Sequence, residues 1–225
     1  MKRALTRELL DHLPPDALEA IGSRADLVKI NWLMGNASFL QLNQINLPGN
    51  PVIADLGGGD GTFALRVIER SGVKSGTLLL VDQQNIVSQQ TRSRFEKLSW
   101  KLEVHATDLF FWLEQQGKNS LDAIFSNLFL HHFSEERLLL LFERVATLTD
   151  RFLACEPRRN RAGLITAKLL GLIGCNSVTQ HDAVASVHAG FSGSELSALW
   201  PDCAGWKLRE RQAGFFTHSF QAFRT

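Results

Sequence analysis

Two groups of residues in this 225-residue chain have types and spacings that can do chemistry. The first is Asp55-Leu56-Gly57-Gly58-Gly59-Asp60-Gly61-Thr62, where glycines let the backbone bend sharply and approach a ligand just ahead of a helix start. Its order, acid-x-Gly-x-Gly-x-Gly, differs from the Gly-x-Gly-x-x-Gly that seats a pyrophosphate in dinucleotide folds, because Thr62 stands at the third glycine position. Asp60 in this turn faces either a ligand's ammonium group or solvent. The second group is Phe129-Leu130-His131-His132-Phe133-Ser134-Glu135-Glu136. A histidine there can take a proton near neutral pH, an effect worth on the order of a hundredfold or more in a step limited by proton removal. Either histidine can instead pack on the following helix or bond a backbone carbonyl. Glu156, next to Pro157-Arg158-Arg159, can orient His131, touch a substrate, or pair with an arginine at the surface. His181, Asp182 and His188 read as pocket lining or as a solvated loop, and without a supporting ligand series they predict no metal site.

Alternating elements must position these groups. Short apolar runs at 52–56, 77–82, 102–106, 123–127 and 152–156 read as strands, and 63–69, 86–98, 109–115 and 135–148 carry helical periodicity. That alternation predicts an α/β fold with a doubly wound, mostly parallel sheet. Residues 206–212 and 215–223, joined through Ala213-Gly214, read as an antiparallel hairpin that brings the sheet to seven strands. Residues 1–48 form an N-terminal helical cap segment, with a helix start at Asp16 and Glu19 in the capping-box position, ahead of a main domain at 49–225. A cap insertion at about 160–191 precedes a helix expected from Ser192, where Glu195 completes a second capping box. Ligands of open α/β sheets bind beyond the carboxyl ends of the strands, so both extra segments are candidates to roof the site.

Composition narrows the classes. Apolar residues make up 44% and charged residues 21%, ordinary globular usage, and the net charge of +1 offers no electrostatic footprint for nucleic acid. The three cysteines, Cys155, Cys175 and Cys203, lack metal-ligand spacing and suit reduced thiols. Glu8, Asp11 and Pro14 follow the initial Met-Lys-Arg, unlike a secretory signal, and the apolar stretch 162–174 is interrupted by Lys168 and too short to span a bilayer. A cytoplasmic protein with no membrane span is expected.

The glycine turn resembles the first motif of the class I S-adenosylmethionine-dependent methyltransferases, whose Rossmann-like core is a seven-stranded sheet of this kind. The resemblance implies a set of roles for S-adenosyl-L-methionine as cofactor. Asp55, Gly57, Gly58, Gly59 and Gly61 would form its cradle; Asp82, 27 residues after Asp55, would accept hydrogen bonds from the ribose hydroxyls, with Gln83 beside it. Asp108 would reach the adenine amino group, Leu109 and Phe110 would flank the ring, and Ser126 and Asn127 would face the methionine part. The segment around His131 resembles the Leu-His-x-Trp/Phe stretch of small-molecule O-methyltransferases, which implies His131 as general base, with His132 and Glu156 as its catalytic neighbours.

A closer resemblance covers most of the chain. Leu27-Val28-Lys29-Ile30-Asn31-Trp32-Leu33-Met34-Gly35-Asn36 and residues 158–196 are similar to stretches of bacterial methyltransferases encoded beside type III polyketide synthases. It departs from their pattern at Trp32, where arginine is usual, and at His188. It implies O-methylation of a phenolic or quinol-like secondary metabolite, with Trp32, Met34 and His188 touching a small aromatic acceptor; a homodimer is compatible with the N-terminal segment. The motifs report the cofactor and leave C- and N-methylation open. A nicotinamide-dependent oxidoreductase and a non-catalytic cofactor-binding protein are the readings from other classes.

Overall fold

The structure, a computed structural model, describes residues 1–40, 42, 45–201 and 205–225, so Cys203 lies outside the described residues. Cys155 and Cys175 are buried free thiols. Among the described residues one sheet holds β1 (Val52–Leu56), β2 (Gly76–Asp82), β3 (Trp100–Ala106), β4 (Ala123–Asn127), β5 (Arg151–Pro157), β6 (Trp206–Ala213) and β7 (Thr217–Arg224). Their order is β3-β2-β1-β4-β5-β7-β6. The first five strands run parallel, while β7 is antiparallel to both β5 and β6, so the sheet is mixed. The reversal follows from the short turn after Ala213, where Gly214 takes φ 69°; a parallel neighbour would need a long crossover.

Ahead of the sheet lie α1 (Leu18–Met34) and α2 (Asn36–Leu40), and the crossovers carry α3 (Thr62–Ser71), α4 (Gln89–Lys97), α5 (Leu109–Glu114) and α6 (Glu135–Leu148). Between β5 and β6 run α7 (Arg161–Leu169), α8 (Ser177–Ala189) and α9 (Glu195–Leu199). None of the helices among the described residues is long and apolar enough to cross a membrane.

Both faces of the sheet are covered. Ala54 and Leu56 of β1 pack with Leu113 and Phe142 on one side, whereas Ile53 packs with Leu65, Ile68 and Phe95 on the other. The period-two alternation of a strand therefore delivers apolar side chains to two cores at once. β1 is flanked by β2 and β4, and the chain leaves it in opposite directions on the two sides. The crevice at the carboxyl ends of β1 and β4 is thus the switch point where ligands enter such sheets.

Several boundaries differ from the sequence expectation for local reasons. α1 starts at Leu18 with Ala17 as N-cap and no side-chain cap, because Asp16 stands one residue too early to reach the first helical amides. α4 starts at Gln89, where the Ser88 hydroxyl accepts from the Thr91 amide at 3.1 Å, not at residue 86. α9 begins at Glu195 instead of Ser192; the Ser192 amide does donate to Glu195 at 3.0 Å, but the same carboxylate also pairs with Arg159.

Phe142 of α6 meets Phe152, Trp200 and Phe220, with ring centroids 5.1 to 5.8 Å apart, and so joins the parallel half of the sheet to the antiparallel pair. Phe142→Ala should cost ~3–5 kcal/mol, read as a lower midpoint in urea unfolding, because this fully enclosed site cannot collapse.

Candidate active site

The glycine turn closes over the switch point. Gly57 takes φ 74° and its amide donates to Val81 O at 2.8 Å, which folds the turn back on β2. A Cβ at Gly57 would stand 2.3 Å from the Phe129 ring, so only glycine fits between the turn and the segment after β4. Gly59, at φ 55°, has no atom within 4 Å of where a Cβ would lie and borders open cavity. Its amide donates to Asp82 Oδ2 at 3.0 Å, and the Gln84 amide donates to Oδ1, also at 3.0 Å, which fixes the carboxylate at the tip of β2. Asp60 Oδ1 accepts from the Thr62 amide and hydroxyl at 2.9 and 2.7 Å, so this side chain caps the start of α3. Asp108 does the same for α5, accepting from the amides of Phe110 and Phe111 at 2.9 and 3.1 Å.

Asp55 is the exception to this pattern of satisfied acids. It is 1% exposed, and its Oδ2 is buried with no hydrogen-bond partner. Burial, with the charge of Asp82 added, raises its pKa well above the ordinary aspartate value.

At the tip of β4, Asn127 donates to Asn31 Oδ1 of α1 at 2.8 Å and accepts from Asn36 Nδ2 at 2.7 Å; Thr217 of β7 in turn donates to Asn36 Oδ1 at 2.6 Å. The chain then passes Leu128, a non-glycine residue at φ 51°, into a single 3-10 turn, Leu130–His132. Glu156 at the end of β5, fully buried, holds that turn. Its Oε1 accepts from the amides of Phe129 and Leu130 at 3.0 and 2.9 Å, and its Oε2 accepts from the His131 amide at 3.3 Å and lies 2.7 Å from His131 Nδ1.

His131 Nε2 faces a second carboxylate, Glu8 Oε1, at 3.3 Å. Burial alone would lower the histidine's pKa, but the hydrogen bonds and charges of Glu156 and Glu8 overcome it and raise the pKa to about 9. Glu8 responds in the opposite sense: burial would raise its carboxyl, and His131 brings it down to about 2. His132, 4.4 Å from His131 between ring centroids, is lowered by burial and by the charge on its neighbour.

Glu8 arrives on an irregular N-terminal strap. Arg3 donates to the carbonyls of Phe133 and Ala189 at 2.8 and 2.7 Å, and lies over the Phe191 ring. The amides of Leu9 and Leu10 donate to the Asp182 carboxylate at 2.7 and 2.9 Å, and Ser186 of α8 bonds Glu8 Oε1.

One cavity of about 770 Å³ connects these parts. Its first half is lined by Gly57, Gly58, Gly59, Asp82, Gln83 and Asp108, and by Leu109, Phe110 and Asn127. Its second half runs past His131, His132 and Glu8 to Met34 of α1, Ala167 of α7 and Val187 of α8. Five expected site residues do not line it. Trp32 is 69% exposed and does not line the cavity, whereas its neighbours Asn31, Leu33 and Met34 do. His188 is half-buried outside the cavity, one residue past Val187. Gly61 lies beneath the turn as the left-handed N-cap of α3, Ser126 spends its hydroxyl on Leu56 O at 3.2 Å, and Glu156 acts from behind His131. Asp182 belongs to a helix capped by Asn176, is buried and lines the cavity, so of its two readings the solvated loop fails; His181 beside it does not line the cavity. Glu8 and Ser186 carry no sequence signal for a site.

The pH dependence of stability should report Asp55. In the native state its raised pKa keeps the proton that the unfolded chain releases, so stability falls as pH rises past the ordinary aspartate value. Asp55→Asn should flatten that decline in thermal unfolding from about pH 5 to about pH 8, where an ordinary aspartate is already ionised.

Comparison with known proteins agrees with this geometry. Residues 53–151 match a family described as "Methyltransferase domain". No curated protein matches the sequence. Among solved structures, an O-methyltransferase family protein from Burkholderia thailandensis superimposes with a TM-score of 0.59 at 18% identity, over 92% of this chain and 59% of its own. The mitomycin 7-O-methyltransferase gives 0.61 at 19%, over 96% of this chain and 60% of its own. A plantazolicin methyltransferase, solved with a triazolic desmethylPZN analog and SAH, gives 0.65 at 13%, over 96% of this chain and 92% of its own. This chain thus spans about three fifths of the first two structures and nearly all of the third. Residues 53–151 are thus similar to a methyltransferase domain, and the fold is one that solved methyltransferases share.

Proposed function

We propose that the chain is an S-adenosylmethionine-dependent methyltransferase that methylates an oxygen of a small phenolic or quinol-like acceptor of the polyketide type. The observation that carries this reading is the single cavity that runs from the glycine turn to His131. Its first half fits the cofactor: Gly59 presents bare backbone, Asp82 and Asp108 stand at successive strand tips, and Asp55 keeps a buried oxygen without a partner. When bound, the cofactor supplies a methyl group on a sulfonium centre. Asp82 would hold the ribose, Asp108 and Leu109 would hold the adenine, and Asn127 would face the amino-acid end. The O-methyltransferases among the structural neighbours support oxygen as the acceptor atom.

Methyl transfer is an in-line displacement, and the chain's main contribution is alignment, which can be worth many kcal/mol. Residues of the N-terminal segment between Glu8 and Met34, and of the second segment between Gly163 and Val187, line the acceptor half. Glu156 is the positioning residue that orients His131. With Glu8 in contact, the imidazole holds protons on both nitrogens, so an acceptor hydroxyl must take Glu8's place at Nε2 before that nitrogen can remove its proton. Met34, Ala167 and Val187 give this chamber apolar walls that suit an aromatic acceptor.

Calorimetry on the folded protein tests the cofactor reading: S-adenosylhomocysteine should bind, NAD should give no heat, and Asp82→Ala should weaken the binding. Absence of heat from the methyl donor and from its product would overturn the assignment. For the base, His131→Ala should lower turnover of a phenolic acceptor on the order of a hundredfold or more while leaving cofactor affinity unchanged. Unaltered turnover would remove His131 from the chemistry.

A further inference from the structure

We propose that Glu8, His131 and His132 form a binding site for a divalent transition-metal ion of the Zn²⁺ or Co²⁺ class, on the acceptor side of the cavity. One ligand atom from each residue lies within 4.8 Å of the other two. His131 Nε2 stands 3.3 Å from Glu8 Oε1, and His132 Nε2 stands 4.0 Å from Glu8 Oε2. Ligands bonded to one tetrahedral ion at about 2.0–2.2 Å sit roughly 3.3–3.6 Å apart, so a set within 4.8 Å must draw in by about an ångström to close around it, a movement that side-chain rotation can supply.

The outer contacts have the form that metal-binding histidines require. A ligating imidazole commonly gives its other ring nitrogen to a carboxylate, which fixes the tautomer and aims the free lone pair. His131 follows that arrangement, with Nδ1 2.7 Å from Glu156 Oε2, while His132 Nδ1 lies 3.6 Å from Asp11 Oδ2, near the carboxylate but outside hydrogen-bond distance. Each Nε2 stands toward one oxygen of the same carboxylate, Glu8. The two histidines sit on one short turn whose amides Glu156 already holds, and Ser186 steadies Glu8. Two imidazoles and one carboxylate, with the remaining positions open, are a donor set that favours first-row transition ions over Mg²⁺ or Ca²⁺. Glu8, Asp11 and Glu156 also bring three carboxylates to one place, a charge that a dication offsets.

All three ligands line the cavity, so the ion's open positions face the chamber where an acceptor's oxygen or nitrogen can enter. The ion would also tie the N-terminal strap to a turn 123 residues away in sequence. It occupies the same His131 Nε2 that serves as the base, so metal and proton removal at that atom exclude one another. The site itself does not depend on the methyltransferase reading.

The test uses full-length protein stripped with chelator and titrated with Co²⁺ alone. One equivalent should produce the visible ligand-field absorption of an ion held by nitrogen and oxygen in low coordination, and Zn²⁺ should displace it. Glu8→Gln and His132→Gln, each shown folded by thermal unfolding, should lose that absorption, whereas His105→Gln on β3 should keep it. Glu156→Gln should weaken Co²⁺ affinity about 10–100-fold through the second contact on His131. No absorption from folded wild-type protein, or an unaltered spectrum in folded Glu8→Gln and His132→Gln, would overturn the site. The readout is a spectrum, so a failed methyl-transfer assay leaves its result standing.

Discussion

A fully buried carboxylate, Glu156, holds the acceptor side of this molecule together. A charge with no access to water is costly unless every lone pair is used. Here three consecutive backbone amides and one imidazole nitrogen supply the hydrogen bonds. The exchange works in both directions. The strand end gives the carboxylate a fixed position, and the carboxylate forces the chain after β4 into a tight turn that the glycine loop alone would not dictate. The Phe129 ring, held by that turn, in turn packs so closely on Gly57 that no side chain is tolerated there. The donor-side loop and the acceptor-side histidines are consequently set by one electrostatic requirement at the tip of β5.

The N-terminal strap solves a related problem without secondary structure. Its backbone amides at Leu9 and Leu10 need partners, and Asp182, a buried acid on α8, needs donors. Arg3 meets the carbonyls that end the 3-10 turn and α8. Complementary unsatisfied groups, not an apolar stripe, seat the strap, and that is how Glu8 reaches His131.

What could be read from the sequence divides along the same line. Asp55, Gly57, Gly59, Asp82 and Asp108 were legible because a strand, a tight turn and a helix start are local, and the residues that each demands fall at fixed spacings. The parallel strands were legible because burial on both faces leaves continuous apolar runs. Glu8 was not, since its contact is made through space from a segment with no periodicity. On α1, Met34 lines the cavity as expected and Trp32 does not, for a different reason. Leu18, Ile21 and Trp32 are exposed apolar residues, so no single greasy stripe fixes the helix's rotation, and one residue of error turns a side chain by about 100°. Thus Asn31 and Leu33, not Trp32, face the cavity. For Asp182 the sequence leaves pocket lining and solvated loop open because the pattern around it is weak; Asn176 caps a helix there, the strap supplies its partners, and the residue borders the cavity.

The chain of amides through Thr217, Asn36, Asn127 and Asn31 carries a thermodynamic consequence. Asn127 stands at the mouth of one chamber, while its side-chain amide is committed to the helix that roofs the other. An occupant that leaves the Asn127–Asn31 bond intact leaves the seating of α1 unchanged; one that breaks it must supply the free energy of that bond. Only in the second case would the two chambers be linked, and the linkage would then be reciprocal.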